Sequence, residues 1–229
     1  MKISAIVPAA GAGERMGTAA RKQFLHISGE PIFIHTLRRL AASPLIGEII
    51  LMAPASQVEQ ARQLVECAGI STPVKVAAGG ATRQESVALG FGHIDPGVEL
   101  ILIHDGVRPF VTPELVAAVA ETAARAGAAS AVCQARDTLK RARGGQLAES
   151  IPREDAVHIQ TPQCFRHAIL AEALERAEKE GISATDESSL VLAIGMAVAT
   201  VDAPFWNIKI TTPEDMILAE ALAWRLAQS

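Results

Sequence analysis

The densest chemical signal in the chain follows its first apolar run. Pro8-Ala9-Ala10-Gly11-Ala12-Gly13-Glu14-Arg15-Met16-Gly17 comes directly after Ile3–Val7. Gly and Ala admit close approach of a ligand to the backbone, and successive N–H groups can cradle an anion. Arg15, Arg21 and Lys22 then place three cations within eight residues. Together these features suit phosphate binding. Two common phosphate motifs are excluded: a dinucleotide GxGxxG needs Gly where Met16 stands, and GxxxxGK[ST] has no match here.

Three further groups could carry chemistry. Gly79-Gly80-Ala81-Thr82-Arg83-Gln84-Glu85-Ser86 reads as a strand-to-helix junction, with Arg83 and Ser86 one helical turn apart on one face. His104-Asp105-Gly106-Val107-Arg108-Pro109 ends an apolar run. An Asp at that tip suits Mg²⁺ or a hydroxyl, and Arg108 suits phosphate. Thr161-Pro162-Gln163, Thr185-Asp186-Glu187 and Asn207-Ile208-Lys209 complete the set. Read singly, each group also fits an ordinary cap, turn or ion pair. The six His are scattered without metal-ligand spacing. No Ser–His or Cys–His constellation offers a covalent nucleophile.

The elements that must position these groups are legible in part. Ile3–Val7 reads as a strand, 31–42 as a helix, 48–53 as a strand and 56–68 as a helix. The alternation continues with strand 74–77, helix 82–94, and the buried strands 99–103 and 129–134. Thr112-Pro113-Glu114 is a helix start, with Thr as cap, Pro at the first position and an acid in the first turn. Thr212-Pro213-Glu214-Asp215 repeats it before a last helix running to about Ala227. Such alternation specifies an α/β fold: three layers around a mainly parallel sheet. In such sheets ligands bind at the carboxyl ends of strands, where the Gly-rich loops fall. Residues 136–158 break the pattern. Thr138–Ala142 and Gln146–Ser150 flank Gly144-Gly145 and read as a hairpin, too small to be stable alone. It is either a surface loop or an arm clasping a second subunit. No elements are assigned between 159 and 211.

Composition narrows the function. The 229 residues bear a net charge of −4, so no global positive field draws nucleic acid or anionic lipid. Aromatics are 3% with no Tyr, too few for a base-stacking platform. The longest stretch without charge or His, Ser188–Val201, is 14 residues, short of the about 20 that a membrane span needs. The apolar run before Pro8 is too short for a signal peptide. Three widely spaced cysteines without a CxxC pair fit a reduced, cytoplasmic setting.

The ordered motifs PAAGAGERMG, RKQF, GGATRQES, HDGVRPF, RDTLKR, IQTPQCF, TDES and NIKITTPED resemble the 2-C-methyl-D-erythritol 4-phosphate cytidylyltransferase family of the non-mevalonate isoprenoid pathway. The resemblance covers nearly the whole chain. It implies a Rossmann-like nucleotidyltransferase fold in a single domain, 1–229, and a homodimer through the β-hairpin arm 136–158. It implies cytidylyl transfer from CTP to methylerythritol phosphate with a divalent cation, Mg²⁺, held mainly by the CTP phosphates, with Asp105 a candidate contact. No nucleic acid, membrane or fused downstream enzyme is expected. By position, Arg15 and Lys22 correspond to transition-state stabilisers. Ala9, Ala10, Gly11, Gly80 and Ser86 correspond to the cytosine and ribose pocket, with Arg83 near it. Asp105, Arg108, Thr161 and Lys209 correspond to the methylerythritol-phosphate site. Thr138 and Arg153, on the arm, correspond to groups reaching that site from the partner subunit, with Arg153 and Lys209 counted among the catalytic set. Two departures stand out. Ala81 lies where the family can carry an acid, and Gly106-Val107 where two alanines are common.

Overall fold

The computed structural model describes residues 3–11, 21–226 and 228. Ile3–Pro8 forms β1, and a short antiparallel ladder of β2 (His26–Ile27) and β3 (Glu30–Pro31) leads into α1 (Ile32–Ala41). The alternation continues through β4 (Ile46–Ala53), α2 (Val58–Ala68), β5 (Val74–Ala78), α3 (Arg83–Phe91), β6 (Leu100–Ile103), α4 (Pro113–Ala126) and β7 (Ala128–Gln134). A hairpin of β8 (Leu139–Arg143) and β9 (Gln146–Ile151) follows. The chain then forms β10 (Val157–Arg166), α5 (His167–Glu180), α6 (Glu187–Ala193), β11 (Ala199–Asp202) and α7 (Pro213–Leu226).

Seven strands form one sheet in the order β11-β7-β10-β6-β1-β4-β5. All pairings are parallel except those of β10, which runs antiparallel to both β6 and β7. The three layers follow from the two-residue period of the strands. Ile3, Ala5 and Val7 of β1 pack on one face with Phe33 and Leu37 of α1, Ala61 of α2 and Val116 of α4. Ile6 points the other way, toward Val87 of α3, Leu170 of α5 and Leu190 of α6. β6 is apolar along its whole length, Leu100–Ile103, because both its faces are covered. α7 closes a third cluster, with Ala219 against Ile210, Val107 and Ile32.

Local signals explain several boundaries. Thr112 caps α4, accepting from the Leu115 N–H at 3.2 Å, with Pro113 at the first position. The helix ends at Gly127, whose φ of 93° would strain any other residue. At the start of α7 the capping acceptor is Asp215, whose carboxylate takes the Thr211 and Thr212 N–H groups at 2.8 and 2.9 Å. The hairpin is exposed almost throughout and is its own two-stranded sheet. Its reach is shorter than the sequence pattern 136–158 suggests: Val157 and His158 pair with Gln134 and Cys133 of β7 and belong to the central sheet. The segment 159–211, left unassigned by pattern, supplies β11, α5, α6 and most of β10.

Candidate active site

The chain leaves β1 toward β4 on one side and leaves β6 toward β7 on the other, so the two connections part at the carboxyl ends of β1 and β6. Ligands of open α/β sheets bind at such a divergence. Two clefts open there, of about 360 and 300 Å³.

The first cleft is built on backbone. Pro8, Ala9, Ala10 and Gly11 line it, together with Lys22, Gln23, Ala81, Ser86 and Val107. The turn after β1 is held from behind. Gln23, 2% exposed, donates through Nε2 to the Ala9 carbonyl at 2.6 Å, and Arg21 donates to the Ala10 carbonyl at 2.8 Å. The opposite wall is the start of α3. Thr82 and Glu85 form a reciprocal capping box, and the Glu85 carboxylate also accepts from the Ala81 N–H at 2.7 Å. The Ser86 hydroxyl accepts from the Gly80 N–H and donates to the Thr82 carbonyl. Gly79 lets the two walls meet: a Cβ there would lie 2.5 Å from the Ala10 Cβ.

The second cleft is built on side chains. Arg108, Thr161, Gln163, Asp186 and Ile159 line it, and Arg83, Asp105, Lys209 and Thr211 line both clefts. Asp105 is the hub. Its carboxylate accepts from Arg83 Nε at 2.8 Å, lies 2.8 Å from Lys209 Nζ and 3.6 Å from Arg108 Nε, and its N–H donates to the Thr161 hydroxyl at 3.0 Å. Burial alone would raise the Asp105 pKa, but Arg83, Lys209 and Arg108 outweigh it and hold the carboxyl well below the usual carboxylate range. Arg83 shows the reverse balance: burial opposes its charge, while Asp105 and Glu187 push its pKa up. Asn207, fully buried, accepts from Arg108 through its backbone carbonyl at 2.9 Å. Its side-chain amide donates to Gln160 Oε1 at 2.8 Å and to the Thr161 carbonyl at 2.9 Å. Thr161 precedes a cis proline, at an irregularity in the β10–β7 ladder. Asp186 caps α6, and its carboxylate takes hydrogen bonds from Ser188, Ser189 and Gln163, which pull its pKa down against the effect of burial.

The structure therefore brings together Ala9, Ala10, Gly11, Lys22, Arg83, Ser86, Asp105, Arg108, Thr161 and Lys209. Gly80 sits just behind the wall, bonded to Ser86. Thr138 and Arg153 lie elsewhere, exposed on the hairpin and beside it, where Arg153 donates to the Arg136 carbonyl at 3.2 Å. Arg15 falls outside the described residues. Lys209 lies in the irregular connection between β11 and α7 rather than after a strand. Glu187 and Asn207 fall inside candidate groups of the sequence and Gln23 inside the RKQF motif, but none of the three is given a role of its own there. Gln23 is buried between a basic pair and Phe24, and burial of so polar a side chain is visible only in three dimensions.

Among the described residues no three His, Cys, Asp or Glu side chains cluster as a metal site. Asp105 is ringed by three cations and Asp186 is occupied by hydroxyl and amide donors, so neither carboxylate offers a ready metal ligand.

Two adjoining clefts sharing one cation cluster, at the switch point of the sheet in a three-layer fold, fit a nucleotidyltransferase-like α/β protein. The comparisons narrow this. Residues 3–225 match the family described as 2-C-methyl-D-erythritol 4-phosphate cytidylyltransferase. The chain is 42% identical over 230 residues to the enzyme of that name from Solibacter usitatus, covering 96% of this chain and 94% of that one. It is 39% identical over 222 residues to the one from Halalkalibacterium halodurans, covering 97% of each. Among solved structures, a 4-diphosphocytidyl-2C-methyl-D-erythritol synthase from Anaerococcus prevotii superposes with a TM-score of 0.86 at 29% identity, over 97% of this chain and 98% of that one. The Thermus thermophilus 2-C-methyl-D-erythritol 4-phosphate cytidylyltransferase gives 0.80 at 36% identity, over 98% and 100%. The chain belongs to the 2-C-methyl-D-erythritol 4-phosphate cytidylyltransferase family.

Proposed function

We propose that the chain transfers the cytidylyl group of CTP to 2-C-methyl-D-erythritol 4-phosphate. The products are 4-diphosphocytidyl-2-C-methyl-D-erythritol and pyrophosphate, in isoprenoid precursor biosynthesis. The observation that carries this reading is the junction: Arg83, Asp105 and Lys209 line both clefts, so two anionic reactants can meet across one charged cluster. CTP takes the backbone-built cleft, with base and ribose against Ala9–Gly11, Gly80 and Ser86. The polyol phosphate takes the cleft of Asp105, Arg108, Thr161 and Lys209.

A phosphate oxygen of the polyol substrate attacks the α-phosphorus of CTP. The bond from that phosphorus to the oxygen bridging to the β-phosphorus breaks, and pyrophosphate leaves with the electron pair. Both reactants are anions, so catalysis rests on positioning and charge stabilisation rather than on a covalent nucleophile. Lys22 places a compact charge beside the Gly-rich turn, and Arg15 adds a planar donor for the triphosphate. A divalent cation, Mg²⁺, accompanies the triphosphate and neutralises its oxygens. Among the described residues no cluster of side chains supplies a cage for it.

We further propose one catalytic domain in a cytoplasmic homodimer. The arm is exposed along both strands, as a segment seeking a partner would be. Thr138 and Arg153 then serve the neighbour's polyol site. A co-expressed mixture of Lys22→Ala and Arg153→Ala subunits tests this. Random pairing makes about half the dimers hybrid, each with one lesion-free site, so activity recovers to roughly a quarter of wild type. No recovery in confirmed hybrids would rule out the shared site.

The reaction itself is tested by pyrophosphate release from CTP with methylerythritol phosphate, with ribitol 5-phosphate, and with neither. Turnover with the first alone is expected. Preference for ribitol 5-phosphate, or turnover without acceptor, would overturn the assignment.

A further inference from the structure

One charged side chain is buried beside the site without lining it. Glu187, the first residue of α6, is 1% exposed, and it is not among the residues lining either cleft. Both of its carboxylate oxygens accept from Arg83 NH1 at 2.8 Å. Burying a carboxylate is strongly unfavourable unless it is paired, and even a paired one is often no better for stability than an apolar residue of the same size. Fold stability alone gives little reason for a charge here. The helix start does not need it, because Asp186 already caps α6 through the Ser189 N–H.

The partner supplies the reason. Arg83 is gripped on two different nitrogens from two different elements: Nε by Asp105 after β6, and NH1 by Glu187 on α6. A planar guanidinium fixed at two points keeps its plane as well as its position. With Asp105 alone, Arg83 would pivot about a single contact. Asp105 would then share its oxygens differently with Lys209 and Arg108, which already approach to 2.8 and 3.6 Å.

We propose that Glu187 is a positioning residue for cytidylyl transfer: by holding Arg83 on the side away from Asp105, it fixes the charged junction that both clefts share. This rests on the reading of Arg83 as a site residue of that reaction.

The test is a double-mutant cycle in steady-state kinetics, with CTP and methylerythritol phosphate varied separately. Wild type is compared with Glu187→Gln, Glu187→Asp, Arg83→Met and the double variant Arg83→Met/Glu187→Gln. Glu187→Gln keeps the shape and removes the charge, and kcat/KM should fall by about tenfold or more. Glu187→Asp, which keeps the charge on a shorter stem, should lie between Gln and wild type. In the Arg83→Met background, adding Glu187→Gln should change kcat/KM by less than about twofold, because the carboxylate has nothing left to position. A folded Glu187→Gln with near wild-type kcat/KM would overturn the proposal, and so would losses that multiply in the double variant. If Glu187→Gln does not fold, the same cycle run with Glu187→Asp decides between the same outcomes. Full activity in Arg83→Met would instead refute the site reading, and this proposal with it.

Discussion

The two clefts are built from different materials. The cleft proposed for CTP uses backbone and small side chains: Pro8–Gly11 on one wall and the capped start of α3 on the other, with Gln23 and Arg21 bracing the turn. The cleft proposed for the polyol phosphate uses charged side chains locked to one another around Asp105. A backbone wall fixes shape and is defeated by added bulk. A charge lattice fixes electrostatics and is defeated by the loss of one member. The same sheet edge therefore carries two kinds of vulnerability, and substitutions can tell them apart.

The largest effect is expected at Lys22, a cation that lines only the backbone cleft of the two. Lys22→Ala should lower kcat for pyrophosphate release by about 10²–10³-fold, the range for losing one preorganised donor at developing charge. A loss below about tenfold would remove it from the catalytic set. Gly79→Ala is expected next. The added Cβ would meet the Ala10 Cβ at 2.5 Å and the Ser86 hydroxyl at 2.8 Å, and neither short side chain can swing away. Overpacking by about 1–3 kcal/mol should raise KM for CTP roughly tenfold or more and leave KM for methylerythritol phosphate nearly unchanged. Lys209→Ala should do the opposite on a similar or smaller scale, because a charged hydrogen bond is worth about 1.5–3 kcal/mol. There KM for methylerythritol phosphate should rise by about tenfold or more, and by more than KM for CTP, because Lys209 lines both clefts. If both variants shift both constants by the same factor, the division into a backbone cleft and a charge cleft is wrong.

The same division governs how much the sequence discloses. The backbone cleft is legible because Gly, Ala and Thr-capped junctions announce themselves locally: Pro8–Gly11 and Gly79–Ser86 each follow a strand and can be read from a few adjacent residues. The charge cleft is assembled from five distant segments, around Arg83, Asp105, Thr161, Asp186 and Lys209, and no local spacing predicts that they converge. The roles of all but Asp186 are foreseen through the resemblance of ordered motifs to a known family. Glu187 and Asn207 fall inside candidate groups, but what each does is hidden for the same reason. A buried Glu and a buried Asn look like surface residues until their partners are placed. Among the elements, β10 was hidden because Val157–Arg166 mixes Pro, Gln, Thr and His with apolar residues, yet Gln160–Phe165 is buried in a strand seated between β6 and β7. The parallel core β1, β4 and β6 was legible because strands covered on both faces are continuous apolar runs.

The last distinction concerns a group buried beside the charge cleft that must stay uncharged. His104 follows β6, next to Asp105, and is fully buried. Its Nε2 lies 3.0 Å from the Arg108 carbonyl, which can only accept, so Nε2 carries the proton. Nδ1 has no hydrogen-bond partner among the described residues. A second proton there would be buried unpaired beside Arg108 and Arg83. Burial pushes the pKa down to about 4, with those two cations adding to it against the pull of Asp105 and the Arg108 carbonyl. The sign follows from linkage. In the unfolded chain His104 takes up its proton near pH 6.5, whereas in the folded protein it does so only near 4, so between these values the unfolded state binds more protons. Stability is thus lost as pH falls through that window, by up to about 3 kcal/mol at its lower end. Asp105, held well below its ordinary value, adds to the loss only toward the lower end, where the unfolded carboxyl begins to protonate. Glu187, pushed up by burial, acts in the opposite direction. Comparing variants cancels both. His104→Gln keeps a donor toward the Arg108 carbonyl and cannot titrate. Urea midpoints at pH 7 and pH 5 should therefore converge in the variant relative to wild type. If wild type and His104→Gln lose equal stability over that interval, His104 is not held neutral, and the lattice around Asp105 tolerates a fourth positive charge.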